Sequence, residues 1–248
     1  MKWILLLFVL FAMAIIALTH IYIKGKQRAN KHNRSARHYG INARLPDIHG
    51  GIGIDVSRYQ RNINWNMVRT MNIKGDQLTF AIIKATEGDQ LVDVNYNYNF
   101  SEAKRVGLLR GAYHYFQPNI LVSQQLKHIT QNIELQAGDL ALVLDIEEQY
   151  ENKNQFEVDV LWLLQKLEQH YGKSPIIYAS AHFHRTHLAF LPKKYPFWVA
   201  HYHARKPAAV EPWSIWQLSD NGRIDGISTA VDINVLNENI NVSELLIQ

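Results

Sequence analysis

The sequence contains no cysteine. That excludes disulfides, a thiol nucleophile, cysteine-ligated zinc and a lipidated N-terminal cysteine, and leaves the compartment open. Acidic residues are missing from the first 40 positions, which hold seven Lys/Arg: Lys2, Lys24, Lys26, Arg28, Lys31, Arg34 and Arg37. The rest of the chain carries 19 Lys/Arg against 22 Asp/Glu, so the net charge of +4 belongs to the N-terminus and the remainder stands at −3. A basic footprint for nucleic acid is therefore lacking. No repeat of roughly 20–50 residues is visible. The histidine groups His182, His184, His187 and His201, His203 form no H-E-x-x-H and lie away from the acidic motif described below, so a metal-dependent hydrolase has no signature here. Gly51-Ile52-Gly53 opens like a dinucleotide loop, but Val56 stands where the third glycine belongs, and strand entry is the better reading.

What is present suits one large domain. The 248 residues are 47% hydrophobic and 19% charged, and an α/β barrel takes about 200–250 residues. Trp3 to Ile23 is apolar except for Thr19, His20 and Tyr22, close to the roughly 20 residues that span a bilayer. Its charged lead-in is only Lys2, and Ala12-Met13-Ala14 offers an A-x-A with apolar sequence continuing beyond it. Residues 1–23 are therefore expected to be an uncleaved membrane anchor, a cleaved signal being the alternative. Residues 24–48 read as a basic tether and 49–248 as the catalytic domain. Positive charge at Lys24 to Arg37 favours the cytoplasmic side, which conflicts with any activity outside the cell membrane.

Along the domain, strand-like runs alternate with helical patterns. Ile52–Ser57 precedes a helix around Trp65–Met71, Leu78–Thr86 precedes Tyr98–Val106, and Leu109–Phe116 precedes Ser123–Leu135. Leu140–Glu148 is followed by a helix over Gln155–Tyr171, with Val158, Leu161, Trp162, Leu164, Gln165, Leu167 and Glu168 as its amphipathic face and Gly172 as its C-cap. Pro175–Ser180 leads to His182–Leu191. Thereafter the helices vanish, and Phe197–Tyr202, Ser214–Leu218 and Ala230–Val235 follow closely. The fold expected is an α/β, irregular TIM-like barrel of five βα units followed by three strands.

The run "LALVLDIEE" ends a buried strand in carboxylates. Strand alternation puts Asp145 and Glu147 on one face with Ala141 and Val143, and Leu142, Leu144 and Ile146 on the other. Asp55 follows the first strand and Asp232 lies in the last. First and last strands are neighbours in a closed barrel, so these acids converge on one mouth. Four acids there must share protons or hydrogen bonds, which is how carboxyl pKa values are driven apart into acid and base roles. Tyr113, Tyr115, Tyr178, Trp198, Tyr202 and Trp216 occupy similar positions. Acids to protonate a bond and flat faces to hold rings describe a sugar cleft.

In order and spacing, the blocks "GIDVSRYQRNINW", "FAIIKATEG", "GAYHYF", "LVLDIEE", "PIIYAS", "FWVAHY" and "WSIWQLSDNGRIDGISTAVDINVLN" resemble those of the glycoside hydrolase family 25 lysozymes, the cellosyl or Chalaropsis type. They cover nearly all of residues 51–237. The resemblance implies a muramidase that cleaves the β-1,4 bond between N-acetylmuramic acid and N-acetylglucosamine. It makes Glu147 the general acid with Asp145 beside it, Asp55 and Asp232 completing the acidic set, and Lys84 with the tyrosines lining the subsites. An ionised Asp145 is expected to raise the pKa of Glu147, and attack by the substrate acetamido group is favoured over direct inversion. A chitinase-like glycosidase and a catalytically inactive peptidoglycan-binding module are the alternatives. Peptidoglycan strands, and a membrane through residues 3–23, are the expected partners of a monomer that uses no metal or cofactor.

Overall fold

The computed structural model describes residues 17–19, 21–24, 51–73, 75–202, 204, 207 and 212–248. The expected anchor and tether lie outside them, except for short helical pieces at 17–19 and 21–24. Among the described residues, no helix is long and apolar enough to cross a membrane.

Eight strands close a barrel: β1 (Ile52–Val56), β2 (Asp76–Glu87), β3 (Leu109–Tyr115), β4 (Val143–Asp145), β5 (Ile176–Ser180), β6 (Phe197–Ala200), β7 (Ile215–Gly222) and β8 (Val231–Leu236). Helices α1 (Trp65–Thr70), α2 (Tyr96–Arg105), α3 (Val122–Asn132), α4 (Lys153–Tyr171) and α5 (Ala181–His187) each follow one of the first five strands. This is the expected order of five βα units and three strands. Neighbouring strands from β1 to β7 run parallel, whereas β8 is antiparallel to both β7 and β1 and closes the ring.

Side-chain alternation divides the core in two. Phe80, Ile82, Ala141, Val143, Ile176, Trp198 and Ile215 pack inside the barrel, while Ala81, Ile83, Leu142, Leu144, Ile146, Ile177 and Val199 face the helices. The two sides of "LALVLDIEE" thus separate as the pleat requires. The ladder of β4 is shorter than the apolar run. Leu140 and Ala141 are held instead by the carbonyls of Arg110 and Leu245, at 2.8 Å each. Leu245 and Ile247 join the inner cluster and seal the end of the barrel remote from the acids.

The long helix α4 buries a different stripe from the one its pattern suggested. Phe156, Val160, Leu163, Leu164 and Leu167 are buried, whereas Val158 is 61% exposed. Phe156 supplies the reason: it packs edge-on against Phe116, Tyr150 and Phe190, and this aromatic cluster fixes the rotation of the helix. The helix starts on Asn152, whose side chain accepts from the Gln155 N–H, and ends on Gly172 at φ 67°.

Gly53 lies in β1 beside Phe80 of β2, its register partner. A Cβ at Gly53 would fall 2.4 Å from the Phe80 ring. Gly53→Ala is therefore expected to destabilise the domain by about 1–3 kcal/mol through overpacking, with Phe80→Leu in the same chain recovering part of the loss. Urea unfolding of the single and double variants checks this; an undiminished midpoint in the single variant would contradict the close approach.

Candidate active site

The acids meet because of strand direction. Asp55 is the penultimate residue of β1, Asp145 ends β4 and Glu147 lies two residues beyond, all at the carboxyl end of parallel strands. Asp232 is the second residue of β8. Because β8 runs the other way, its beginning faces the same mouth, and Asp232 stands in register with Asp55. A cleft of about 210 Å³ at this mouth is lined by Asp55, Lys84, Tyr113, Tyr115, Asp145, Glu147, Tyr178, Trp198, Tyr202, Gln217 and Asp232. A larger cavity, about 660 Å³, is bounded by residues of α2, the end of α3 and the end of α4, and has none of these acids in its wall.

Every site residue expected from the sequence lines the cleft except Trp216. Its side chain turns outward into the helix-facing core, and its Nε1–H donates to the carbonyl of His201 at 3.0 Å. One step along the pleat, Gln217 takes the inward position that Trp216 was expected to hold. The alternation Ile215, Gln217, Ser219 against Trp216, Leu218 carried that information: the polar side chains Gln217 and Ser219 fall on one face of the strand and the apolar Trp216 and Leu218 on the other.

Gln217 organises the floor. Its Nε2 donates to Asp55 Oδ2 at 2.9 Å, and its Oε1 accepts from the hydroxyls of Tyr178 at 2.8 Å and Tyr202 at 2.7 Å. Asn234 donates to the same Asp55 oxygen at 2.8 Å and accepts from Trp198 Nε1 at 2.8 Å. Trp198 packs edge-on to Tyr178 with ring centroids 4.6 Å apart. The sequence pattern singled out neither amide. Lys84 is bound to Glu87 at 2.6 Å, lies over the Tyr115 ring at 5.0 Å, and shares Glu87 with Gln117. Burial disfavours the Glu87 charge, but the Lys84 ammonium outweighs it and holds the carboxyl below its usual range.

The four cleft acids are all shifted upward, chiefly because burial disfavours their charged forms. Asp55 is raised to about 6, with hydrogen bonds from Asn234, Gln217 and Asp232 holding it down. Asp232 is pushed up to about 9 by burial and by the charge of Asp55. These two therefore hold one proton between them near neutrality, with Asp55 as the ionised member. Asp145, only 8% exposed, is raised well above its ordinary value by burial and then by Glu147. Its Oδ1 is buried with no hydrogen-bond partner.

Glu147 opens to solvent, yet the protein around its carboxyl raises its pKa too. After burial, the charge that raises it is Glu148, with Tyr178 and Lys84 opposing. Asp145 and Glu147 repel one another, and Asp145, the more deeply desolvated of the two, is the one held well above its ordinary range.

Among the described residues, no group of three His, Asp or Glu side chains could hold a metal ion. His184 packs on Phe197 at a centroid distance of 4.1 Å, and His203 lies outside the described residues.

The model of the family "Glycosyl hydrolases family 25" matches residues 54–227. The chain is 43% identical over 196 residues to the uncharacterized protein YegX of Escherichia coli, covering 78% of this chain and 72% of that one. It is 31% identical over 208 residues to lysozyme M1 of Streptomyces globisporus, covering 77% and 69%. The crystal structure of the bacterial lysozyme from Streptomyces coelicolor superposes with a TM-score of 0.70 at 30% identity, covering 80% of this chain and 96% of that one. A family 25 glycosyl hydrolase from Bacillus anthracis shares the fold, with a TM-score of 0.73 at 24% identity, covering 83% and 97%. With most of the barrel matched and relatives above 30% identity across three quarters of the chain, this protein belongs to glycosyl hydrolases family 25.

Proposed function

We propose that the chain is a lysozyme, an N-acetylmuramidase that hydrolyses the β-1,4 bond between N-acetylmuramic acid and N-acetylglucosamine in peptidoglycan. The observation that carries this reading is the pairing of a solvent-open Glu147 with a buried Asp145 whose Oδ1 has no partner. A buried acceptor without a donor suits the N–H of a sugar acetamido group. Membership of the family and the lysozymes among its relatives support the same substrate. None of the four acids is missing, which counts against a module that only binds.

Asp145 and Glu147 titrate as a unit. When the acetamido N–H reaches Asp145, the hydrogen bond stabilises the Asp145 carboxylate and leaves the proton on Glu147. Glu147 then donates that proton to the glycosidic oxygen as the C1–O bond breaks, and the acetamido carbonyl oxygen forms a bond to C1. Asp145 offsets the positive charge of the resulting ring. Water next attacks C1, gives a proton to the Glu147 carboxylate, and expels the acetamido oxygen. The acid is restored and configuration at C1 is retained. The aromatic side chains and Lys84 hold the flanking sugars.

A substrate that lies outside the cytoplasmic membrane requires export. We infer that residues 1–23 direct it, as an anchor with the catalytic domain outside or as a cleaved signal, against the bias of Lys24 to Arg37, because long domains translocate regardless of flanking charge.

Digestion of purified peptidoglycan with chelator present should release fragments ending in reducing N-acetylmuramic acid, with the initial anomer retained. Glu147→Gln should lower kcat by at least about 10²-fold while substrate still binds. Reducing N-acetylglucosamine ends would replace the reading with a different glycosidase, and an inverted anomer would remove the acetamido step.

A second expectation concerns pH. Asp55 and Asp232 bind protons more tightly folded than unfolded, so their contribution to stability is complete below about pH 4 and is lost as pH rises through about 6 and 9. Asp232→Asn mimics the neutral form, and should raise Tm at pH 8 and flatten its pH dependence. A lower Tm would show that the pair does not share a proton.

For location, a reporter fused after Gln248 should be active outside the cytoplasm. Activity only inside would contradict export and the substrate with it.

A further inference from the structure

The turn that follows β1, residues 57–61, is held from within and from two neighbouring segments. Inside it, the Ser57 N–H donates to Gln60 Oε1 at 2.9 Å, and Ser57 Oγ accepts from the Tyr59 N–H at 3.3 Å. From the β2–α2 loop, the buried Asp93 carboxylate accepts the Arg58 N–H at 2.8 Å and the Asn95 N–H at 2.9 Å. The Asn95 side chain donates in turn to the carbonyl of Arg61 at 3.4 Å. From the segment before β8, the carbonyl of Ala230 accepts from Gln60 Nε2 at 3.0 Å. Among the described residues, Arg61 is the one non-glycine with a positive φ, 56°, a conformation that L side chains rarely adopt and that collects at binding and catalytic sites.

This constrained backbone carries two side chains that project into water. Arg58 is exposed, and Tyr59 is 66% exposed. The guanidinium lies over the Tyr59 ring, 5.3 Å from its centre, with Nη2 3.5 Å from the hydroxyl. The two carboxylates whose charge reaches Arg58 are both engaged elsewhere: Glu87 by Lys84 and Gln117, and Asp93 by the two backbone N–H groups. Among the described residues, no carboxylate lies within ion-pairing distance of the Arg58 guanidinium. An exposed ring and an unpaired cation do little for the fold, yet the turn beneath them is fixed. Fixing them in advance lowers the entropy lost when a ligand is bound. Asp55 is three residues back, at most about 11 Å along an extended chain, so the pair stands on the rim of the acidic mouth.

We propose that Arg58, backed by Tyr59, is an outlying subsite of the cleft that binds a carboxylate of the stem peptide carried by N-acetylmuramic acid. This rests on the reading of peptidoglycan as the substrate and names the part of it that the rim recognises. A guanidinium meets a carboxylate through two parallel N–H···O bonds, and an aromatic face behind it steadies its plane. Charge argues for an anionic group. Beyond residue 40 the chain holds 19 Lys/Arg against 22 Asp/Glu, and Lys84 is committed to Glu87. An acidic polymer approaching this mouth therefore finds an unpaired positive charge at Arg58. A neutral sugar would be served by the tyrosine face alone.

The test compares the full-length chain with Arg58→Gln on two preparations of the same soluble peptidoglycan fragments, one with its peptide carboxylates free and one with them converted to carboxamides. The hydrogen bonds of the turn run through the Arg58 backbone N–H, so the substitution leaves them in place. At low salt the parent protein should show a KM about fivefold lower on the free-acid fragments, the upper end for an exposed ion pair, with kcat alike on both. Arg58→Gln should raise KM on the free-acid fragments to the amidated value and leave the amidated fragments unaffected. The preference should also vanish in about 1 M salt, where screening is nearly complete. A parent protein indifferent to amidation, a variant impaired equally on both preparations, or a preference that survives in Arg58→Gln or in high salt would each overturn the proposal while the muramidase reading stands. Failure of the parent protein to cleave either preparation would remove the muramidase reading, and this subsite with it.

Discussion

Closing a parallel barrel with one antiparallel strand sets Asp232 directly opposite Asp55. Two carboxyls held that close and partly stripped of water cannot both ionise, and much of the cleft follows from this constraint. One of the pair carries the charge, and the choice falls on Asp55 because the Gln217 and Asn234 amides turn their N–H groups toward it. Those amides are in turn oriented by Tyr178, Tyr202 and Trp198. The aromatic residues of the floor therefore serve the electrostatics of the site as well as offering ring faces to a sugar. Lys84 is neutralised largely by Glu87, so the cleft manages its acids through protons and hydrogen bonds more than through a countercharge.

The fold was legible because hydrophobic periodicity and its interruption are local signals. Five alternations and then three bare strands can be seen along the chain, and the acid-tipped run of β4 divides its faces as a pleat must. The reversal of β8 was not legible, since a strand of six residues reads alike in either direction. Convergence of Asp55 and Asp232 could be inferred from ring closure, but Asp232 reaches the mouth at the beginning of its strand, and only the reversal makes that work. The rotation of α4 was hidden for another reason. Apolar residues occur on more than one side of that helix, and the aromatic cluster around Phe156, assembled from distant segments, decides which side is buried.

At the site, carboxylates and tyrosines declared themselves, while the two amides did not. Gln217 and Asn234 act through contacts with residues 162 and 179 positions away, and no local pattern announces such partners. Trp216 misled because a tryptophan near a sugar cleft invites a stacking role. The pleat turns it outward, to a carbonyl of the neighbouring segment. The relative shifts of Asp145 and Glu147 likewise depend on depth: the residue inside the ladder is desolvated more than the one two positions beyond it.

The seam between β1 and β8 also governs when the domain can become a domain. Its ring is completed by residues 231–236 pairing with residues 52–55, and the segment that seals the opposite end follows only at 242–247. Contacts of such long sequence separation form late, after the entropy of closing a large loop has been overcome. Until residues 231–236 are in place, the first seven strands can form only an open sheet with unpaired margins at β1 and β7. The same pairing that closes the ring brings Asp232 to Asp55, so the barrel and its catalytic mouth are completed by one strand.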